Sequence, residues 1–175
     1  QLGIVLFKEE AFDEAMVHLE IAHEILPDYS GYPSPPLVLA QIYERRGDRD
    51  ARIAQLKVML ENHQHDYDSA ILLAKNALDQ GAVEEAGYYM ERAISVSPYR
   101  LDVHQVGAAI AASSNDSQMA VREYEVLATL DRNDPVEART NLAEAYMKNG
   151  QPQQAKRNIL TALEIAPSYE RAQAV

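Results

Sequence analysis

The chain repeats itself. A small residue follows a mostly leucine column at Leu2-Gly3, Leu39-Ala40, Leu73-Ala74, Gly107-Ala108 and Leu142-Ala143, at intervals of 37, 34, 34 and 35 residues. A fixed period of that length marks an array of helical repeats. A single unit of such an array cannot bury its own apolar face, so the core must come from packing unit on unit, and what is built is an extended surface rather than a closed catalytic pocket.

Further columns set the register. Twelve residues after each small residue stand Ala15, Arg52, Ala86, Ala120 and Ala155, and seven further on come Ala22, Met59, Ala93, Leu127 and Ala162. Between them lie Leu19, Leu56, Met90, Tyr124 and Ile159, and the units close on Pro27, Gln64, Pro98, Arg132 and Pro167. The middle of each unit carries Glu10, Gly47, Gly81, Asn115 and Gly150. This reads as helix, turn, helix, stop. Alanine or glycine at recurring positions lets two antiparallel helices approach closely while larger apolar residues fill the flanks. The mid-unit column suits a left-handed helix cap.

These columns resemble the tetratricopeptide repeat (TPR) family over about the whole chain, in units near 1–32, 33–66, 67–100, 101–135 and 136–169, with residues 170–175 opening a further helix. The third and fifth units match best, through Leu73, Ala74, Gly81, Ala86, Ala93 and Pro98 and through Leu142, Ala143, Tyr146, Gly150, Ala155, Ala162 and Pro167. Units two and four depart, because Arg52, Met59 and Gln64 replace Ala, Ala and Pro, and Gly107 and Arg132 stand where Leu and Pro are usual. Local distortion is expected in both. The resemblance implies an all-α fold, a right-handed α-solenoid of about five helix-turn-helix units wound into a superhelix and forming one array. Its ends, Gln1 inside a first helix and Glu170 to Val175 at the start of another, read as those of a segment of a longer protein.

Loop chemistry agrees with these boundaries. Ser34-Pro35 and Asp134-Pro135 place a capping side chain before a proline suited to a first helical turn, and Ser168 is expected to cap likewise. The Pro27 to Pro36 stretch is the longest connection and the sole candidate for a subdomain boundary. Tyr29, Tyr67, Tyr99 and Tyr169 lie near unit junctions and are expected to pack there with their hydroxyls in water.

Charge and composition narrow the function. The net charge is −11, with −6 on residues 1–32 and +1 on residues 136–175. No basic stripe is present to displace counterions from phosphates, which argues against nucleic acid, and an anionic membrane surface is disfavoured for the same reason. No apolar run reaches membrane-spanning length, so direct membrane insertion is not expected. Cysteine is absent, which removes thiol catalysis and Cys-ligated zinc but leaves the compartment open. His63-Gln64-His65-Asp66 with Asp68 has metal-binding residue types, yet it lies in an inter-unit loop where such residues are ordinarily solvated. His23-Glu24 lacks the second histidine of a zinc-protease helix, since Pro27 stands at that place. His18 and His104 read as surface or groove positions. With no phosphate loop, nucleophile elbow or paired carboxylates, neither a catalytic residue nor a cofactor is expected.

What remains is binding. In the TPR family the first helix of each unit lines a concave groove, and the resemblance places Gln41, Arg45, Lys75, Gln105, Thr140, Asn141, Glu144 and Lys148 there, beside apolar Ile71, Leu72 and Val106 and the hydroxyl of Ser34. Such a mixture suits an extended or helical protein segment. The Lys/Asn/Arg carboxylate clamp of chaperone-binding members is missing. The expected function is therefore a non-catalytic scaffold for a protein or peptide partner. The alternatives are an accessory domain of a larger bacterial enzyme, such as a membrane-associated or periplasmic peptidase, and a self-association module.

Overall fold

The computed structural model describes residues 1–27, 29, 31, 33–62, 66–130 and 133–175. Among these there are eleven helices and no strand: α1 Leu2–Lys8, α2 Phe12–Ile25, α3 Pro35–Arg46, α4 Arg49–Asn62, α5 Tyr67–Asp79, α6 Val83–Val96, α7 Leu101–Ser114, α8 Ser117–Leu130, α9 Pro135–Lys148, α10 Pro152–Ile165 and α11 Glu170–Ala174. Taken in pairs they are five helical hairpins followed by α11. The fold is all-α and of the helix-turn-helix repeat class that the columns imply. The chain forms two compact units, residues 1–73 and 74–175, and the division falls inside α5 rather than in the proline-rich stretch 27–36.

The turn column explains why each hairpin folds back. Gly47, Gly81 and Gly150 have φ of 71°, 72° and 72°, and Glu10 and Asn115 take φ of 62° and 55°. At each turn the amide of the residue just before the second helix reaches back five residues. Ala11, Asp48, Ala82, Asp116 and Gln151 donate to the carbonyls of Leu6, Tyr43, Ala77, Ala111 and Tyr146 at 2.8–3.0 Å. This is a Schellman closure, in which one left-handed residue satisfies carbonyls that the helix end leaves open.

The alanine columns are the core. Ala15, Ala74, Ala86, Ala93, Ala143 and Ala162 are fully buried. In the N-terminal unit Ala15, Leu19, Val38, Leu39 and Ile42 form one cluster, flanked by Phe7, Phe12 and Tyr43. Gly3 lies so close to α2 that an added Cβ would stand 2.8 Å from Leu19 Cγ, so the first small-residue position admits no side chain. In the C-terminal unit Val121, Leu142, Ala143, Ala145, Tyr146 and Ala155 play the same part.

The expected distortion of hairpins two and four is not observed. Their helices run 12 to 14 residues, as in the other complete hairpins. Arg52 is half-buried and reaches across to α3, where its guanidinium pairs with Glu44 Oε1 at 3.2 Å, and Met59 is buried in place of an alanine. Gln64 and Arg132 lie outside the described residues. In hairpin four, Gly107 leaves room for a neighbour: a Cβ there would meet Glu123 Cδ at 2.7 Å. Glu123 in turn meets His104, with Nδ1 to Oε2 at 2.7 Å, while His104 Nε2 donates to the Pro98 carbonyl at 2.8 Å. His104 is therefore a buried core residue and not a surface or groove one.

Caps and junction tyrosines divide similarly. Asp134 accepts from the Glu137 amide at 2.9 Å as expected, but Ser34 makes no side-chain cap bond, and the cap position of α11 falls on Tyr169 rather than Ser168. Asp48, Asp66 and Asp116 also cap, accepting from the amides of Ala51, Ser69 and Met119. Tyr67 is buried at its junction, whereas Tyr99 is 81% exposed and packs on little.

Candidate functional site

The polar stripe on α9 is the most built-up part of the expected groove. Glu137, Asn141, Glu144 and Lys148 recur every three or four residues and so share one helix face. One period after Glu137 stands Arg171, whose guanidinium spans that face: Nη1 donates to Glu137 Oε1 at 2.5 Å, Nη2 to Asn141 Oδ1 at 2.7 Å, and Nε and Nη2 to the Glu144 carboxylate at 2.9 and 2.8 Å. The fork geometry of arginine, with several donors in one plane, makes such a multiple contact available to it and not to lysine. The Tyr169 hydroxyl donates to the other oxygen of Glu137, so it is held by a carboxylate and not left to water.

The electrostatics follow from these bonds. The Tyr169 hydroxyl bond and the Arg171 charge together hold the Glu137 carboxyl below the usual carboxylate range against the opposing effect of its burial. The same hydroxyl bond raises Tyr169, and the Glu144 carboxylate bond raises Arg171. Burial and the neighbouring Glu144 charge raise the Tyr124 phenol, so it remains a neutral donor. Asn141 and Glu144 are thus engaged within the chain by α11, an arrangement absent from the sequence-based expectation. A hint was present, since Arg171 falls in the same column as Glu137.

Beside this stripe lies a cavity of about 330 Å³ between α7, α8 and α9. Its walls are the methyls of Ala108, Ala111, Ala112, Ala120 and Ala145 and the ring of Tyr124, and its rim is Asn115, Asp116, Ser117, Asn141, Glu144 and Lys148. Three of the eight expected groove residues, Asn141, Glu144 and Lys148, are brought together here.

The others are placed differently. Thr140 is completely buried, and its hydroxyl donates to the Val136 carbonyl at 2.8 Å, so it faces packed helix and not a groove. Ile71, Val106 and Ser34 are likewise buried. Arg45 is exposed, but its guanidinium lies 4.7 Å from the Phe7 ring centre and 5.5 Å from that of Phe12, binding α3 to the first hairpin by cation–π contact. Gln41 is half-buried on α3, while Lys75 on α5 and Gln105 on α7 are exposed. His63, Gln64 and His65 lie outside the described residues. Among the described residues no helix is long and apolar enough to cross a membrane.

The geometry defines a class, proteins built from short antiparallel helical hairpins closed by a left-handed turn. Residues 136–169 match the tetratricopeptide repeat family model, over the same span as the fifth sequence unit. No match is found among curated proteins. Several solved structures share the fold. MamA superposes with a TM-score of 0.69 at 18% identity, covering 94% of each chain. YrrB, described as a TPR protein with an unusual peptide-binding site, gives 0.70 at 13% identity over 98% of this chain and 87% of its own. TTC0263, a TPR protein of Thermus thermophilus, gives 0.53 at 20% identity over 99% and 92%. The chain is a protein of the tetratricopeptide repeat fold.

Proposed function

We propose that this chain is a non-catalytic binding array that holds a segment of a partner protein along the exposed faces of its first helices. The observation that carries the reading is the juxtaposition on α9 of Asn141, Glu144 and Lys148 with an open cavity floored by methyls. Ligand sites of this kind combine an apolar floor with a few placed polar groups, the first supplying affinity and the second orientation. The description of YrrB as a TPR protein with a peptide-binding site supports the class of ligand, though at 13% identity its likeness extends to the fold alone.

The test is a selection from a displayed peptide library, followed by binding of the selected peptides to charge-changing variants at Lys75, Asn141, Glu144 and Lys148. Weakened binding with unchanged helical circular dichroism supports the groove. Equal affinity for all four variants, or no selectable peptide, sinks it.

A second reading, self-association, is favoured by one specific feature. Val17, Ile21 and Ile25 form an apolar stripe on α2 that is 54%, 47% and 70% exposed. A stripe of that kind marks an interaction surface when it is contiguous. Sedimentation of wild type against Ile21→Lys decides it: a mass that rises with concentration in the first and not the second supports self-association, and a constant monomer mass in both removes it.

A further inference from the structure

The cavity between α7, α8 and α9 has a cause in the repeat. The third and fourth positions after the small-residue column are Leu6-Phe7, Tyr43-Glu44, Ala77-Leu78 and Tyr146-Met147 in hairpins one, two, three and five. Every one of these pairs holds at least one large side chain. In hairpin four the pair is Ala111-Ala112, and both methyls line the hole. A second sign is Ala120. Its column mates Ala15, Ala86 and Ala155 are buried to 2% or less, while Ala120 is only half-buried because it opens onto the same space.

The charges around the hole are unequal in their availability. Asp116 is occupied in capping α8 through the Met119 amide, the Ser117 hydroxyl donates to Asn149, and Asn141 and Glu144 are held by Arg171. Lys148, in the last turn of α9, has no hydrogen-bond or ion-pair partner among the described residues. The rim therefore offers an ammonium that none of the described residues neutralises.

Building on the groove reading above, we infer that this cavity is a side-chain pocket for an aromatic residue of the bound segment, and that Lys148 pairs with a carboxylate of that same segment. An apolar hole of about 150 Å³ already admits a benzene ring. The 330 Å³ here leaves room for the ring and the chain that carries it. Methyl walls and the Tyr124 ring suit a flat apolar group, and ring-on-ring contact adds to the area buried. The specificity comes from what hairpin four lacks relative to its neighbours.

The experiment uses 3-phenylpropionate, which joins a ring to a carboxylate, as the probe. It is titrated into protein labelled at alanine methyls. The expected result is saturable shifts at Ala108, Ala111, Ala112, Ala120 and Ala145 and not at the buried Ala15 or Ala86. Ala112→Leu, which gives hairpin four a side chain of the size found in hairpin three, should abolish these shifts with no loss of thermal midpoint. Lys148→Glu should weaken the probe by about threefold, the scale of an exposed ion pair, and should make 3-phenylpropylamine the better ligand. Absence of the shifts in wild type, or their persistence in Ala112→Leu, overturns the pocket. Library-selected peptides separate this failure from that of the groove: peptides that bind Ala112→Leu as well as wild type overturn the pocket and leave the groove standing, and loss of binding in that variant supports both.

Discussion

In hairpin five, Arg139 on α9 donates to Asn158 on α10 at 3.0 Å; one repeat earlier, the same two positions hold His104 and Glu123. The pairs differ in what surrounds them. Arg139 and Asn158 are half-buried beside Leu142, a large residue that fills the helix contact, whereas His104 and Glu123 are buried beside Gly107, whose missing side chain makes the room they occupy. The comparison teaches that a repeat column can be broken without distorting the hairpin when the vacated volume and a polar pair are exchanged together. The exchange has a condition. Both nitrogens of His104 are engaged, one by Glu123 and one by the Pro98 carbonyl, and neither His104 nor Glu123 can be removed without leaving the other buried alone.

The largest effect is expected at that pair. His104→Ala leaves the Glu123 carboxylate without its partner and should cost about 3 kcal/mol in chemical denaturation, the penalty of an uncompensated buried charge. The matching Arg139→Ala in hairpin five should cost about 1 kcal/mol, because Asn158 is neutral and half-exposed. Gly107→Ala comes next. It pushes a methyl into Glu123 and should cost about 2 kcal/mol of overpacking, while Gly107→Leu combined with His104→Arg and Glu123→Asn, the residues hairpin five carries at these three positions, should recover most of that loss.

A smaller effect reports on the contact between hairpins four and five through pH. The Tyr146 hydroxyl donates to Glu125 at 2.5 Å, and burial, aided by that carboxylate, pushes the phenol up to about 12. Since the folded value lies above the ordinary 10, the bond stabilises fully below about pH 10 and is lost as pH rises towards about 12. Tyr146→Phe should lower stability by about 1 kcal/mol at neutral pH and remove this part of the alkaline decline, read as denaturation midpoints across that range. The smallest contrast is in the turns. Gly150→Ala meets no atom within 4 Å, so its cost, about 1 kcal/mol by thermal melting, is wholly that of a left-handed backbone. Asn115→Gly should change stability by less than about 0.5 kcal/mol, because asparagine already tolerates that conformation.

Much of the fold was legible because it is periodic. Ala15, Ala86, Ala143 and Ala162 are buried where their columns put them, and the residues of the turn column all adopt left-handed backbone, Glu10 included. What escaped the sequence depends on particular neighbours. Gly107 reads as a defect until Glu123 is seen in its place. Thr140 reads as a groove residue because its helix position is two-sided, and only the packing of neighbouring helices decides which side is covered. Asn141, Glu144 and Lys148 lie together as their helix spacing implies, but the guanidinium of Arg171 across two of them is a contact between residues 27 to 34 apart that no local pattern encodes. The capping of Asp48, Asp66 and Asp116 was within reach, each lying three residues before the amide it accepts.

The backward-reaching amides at the turns give the molecule its own set of gauges. Each of Ala11, Asp48, Ala82, Asp116 and Gln151 carries one hydrogen whose exchange with solvent requires its own turn to come undone. Because there is one such hydrogen in every hairpin, a single deuterium-exchange time course would rank the five by ease of opening, without a mutation and without a ligand.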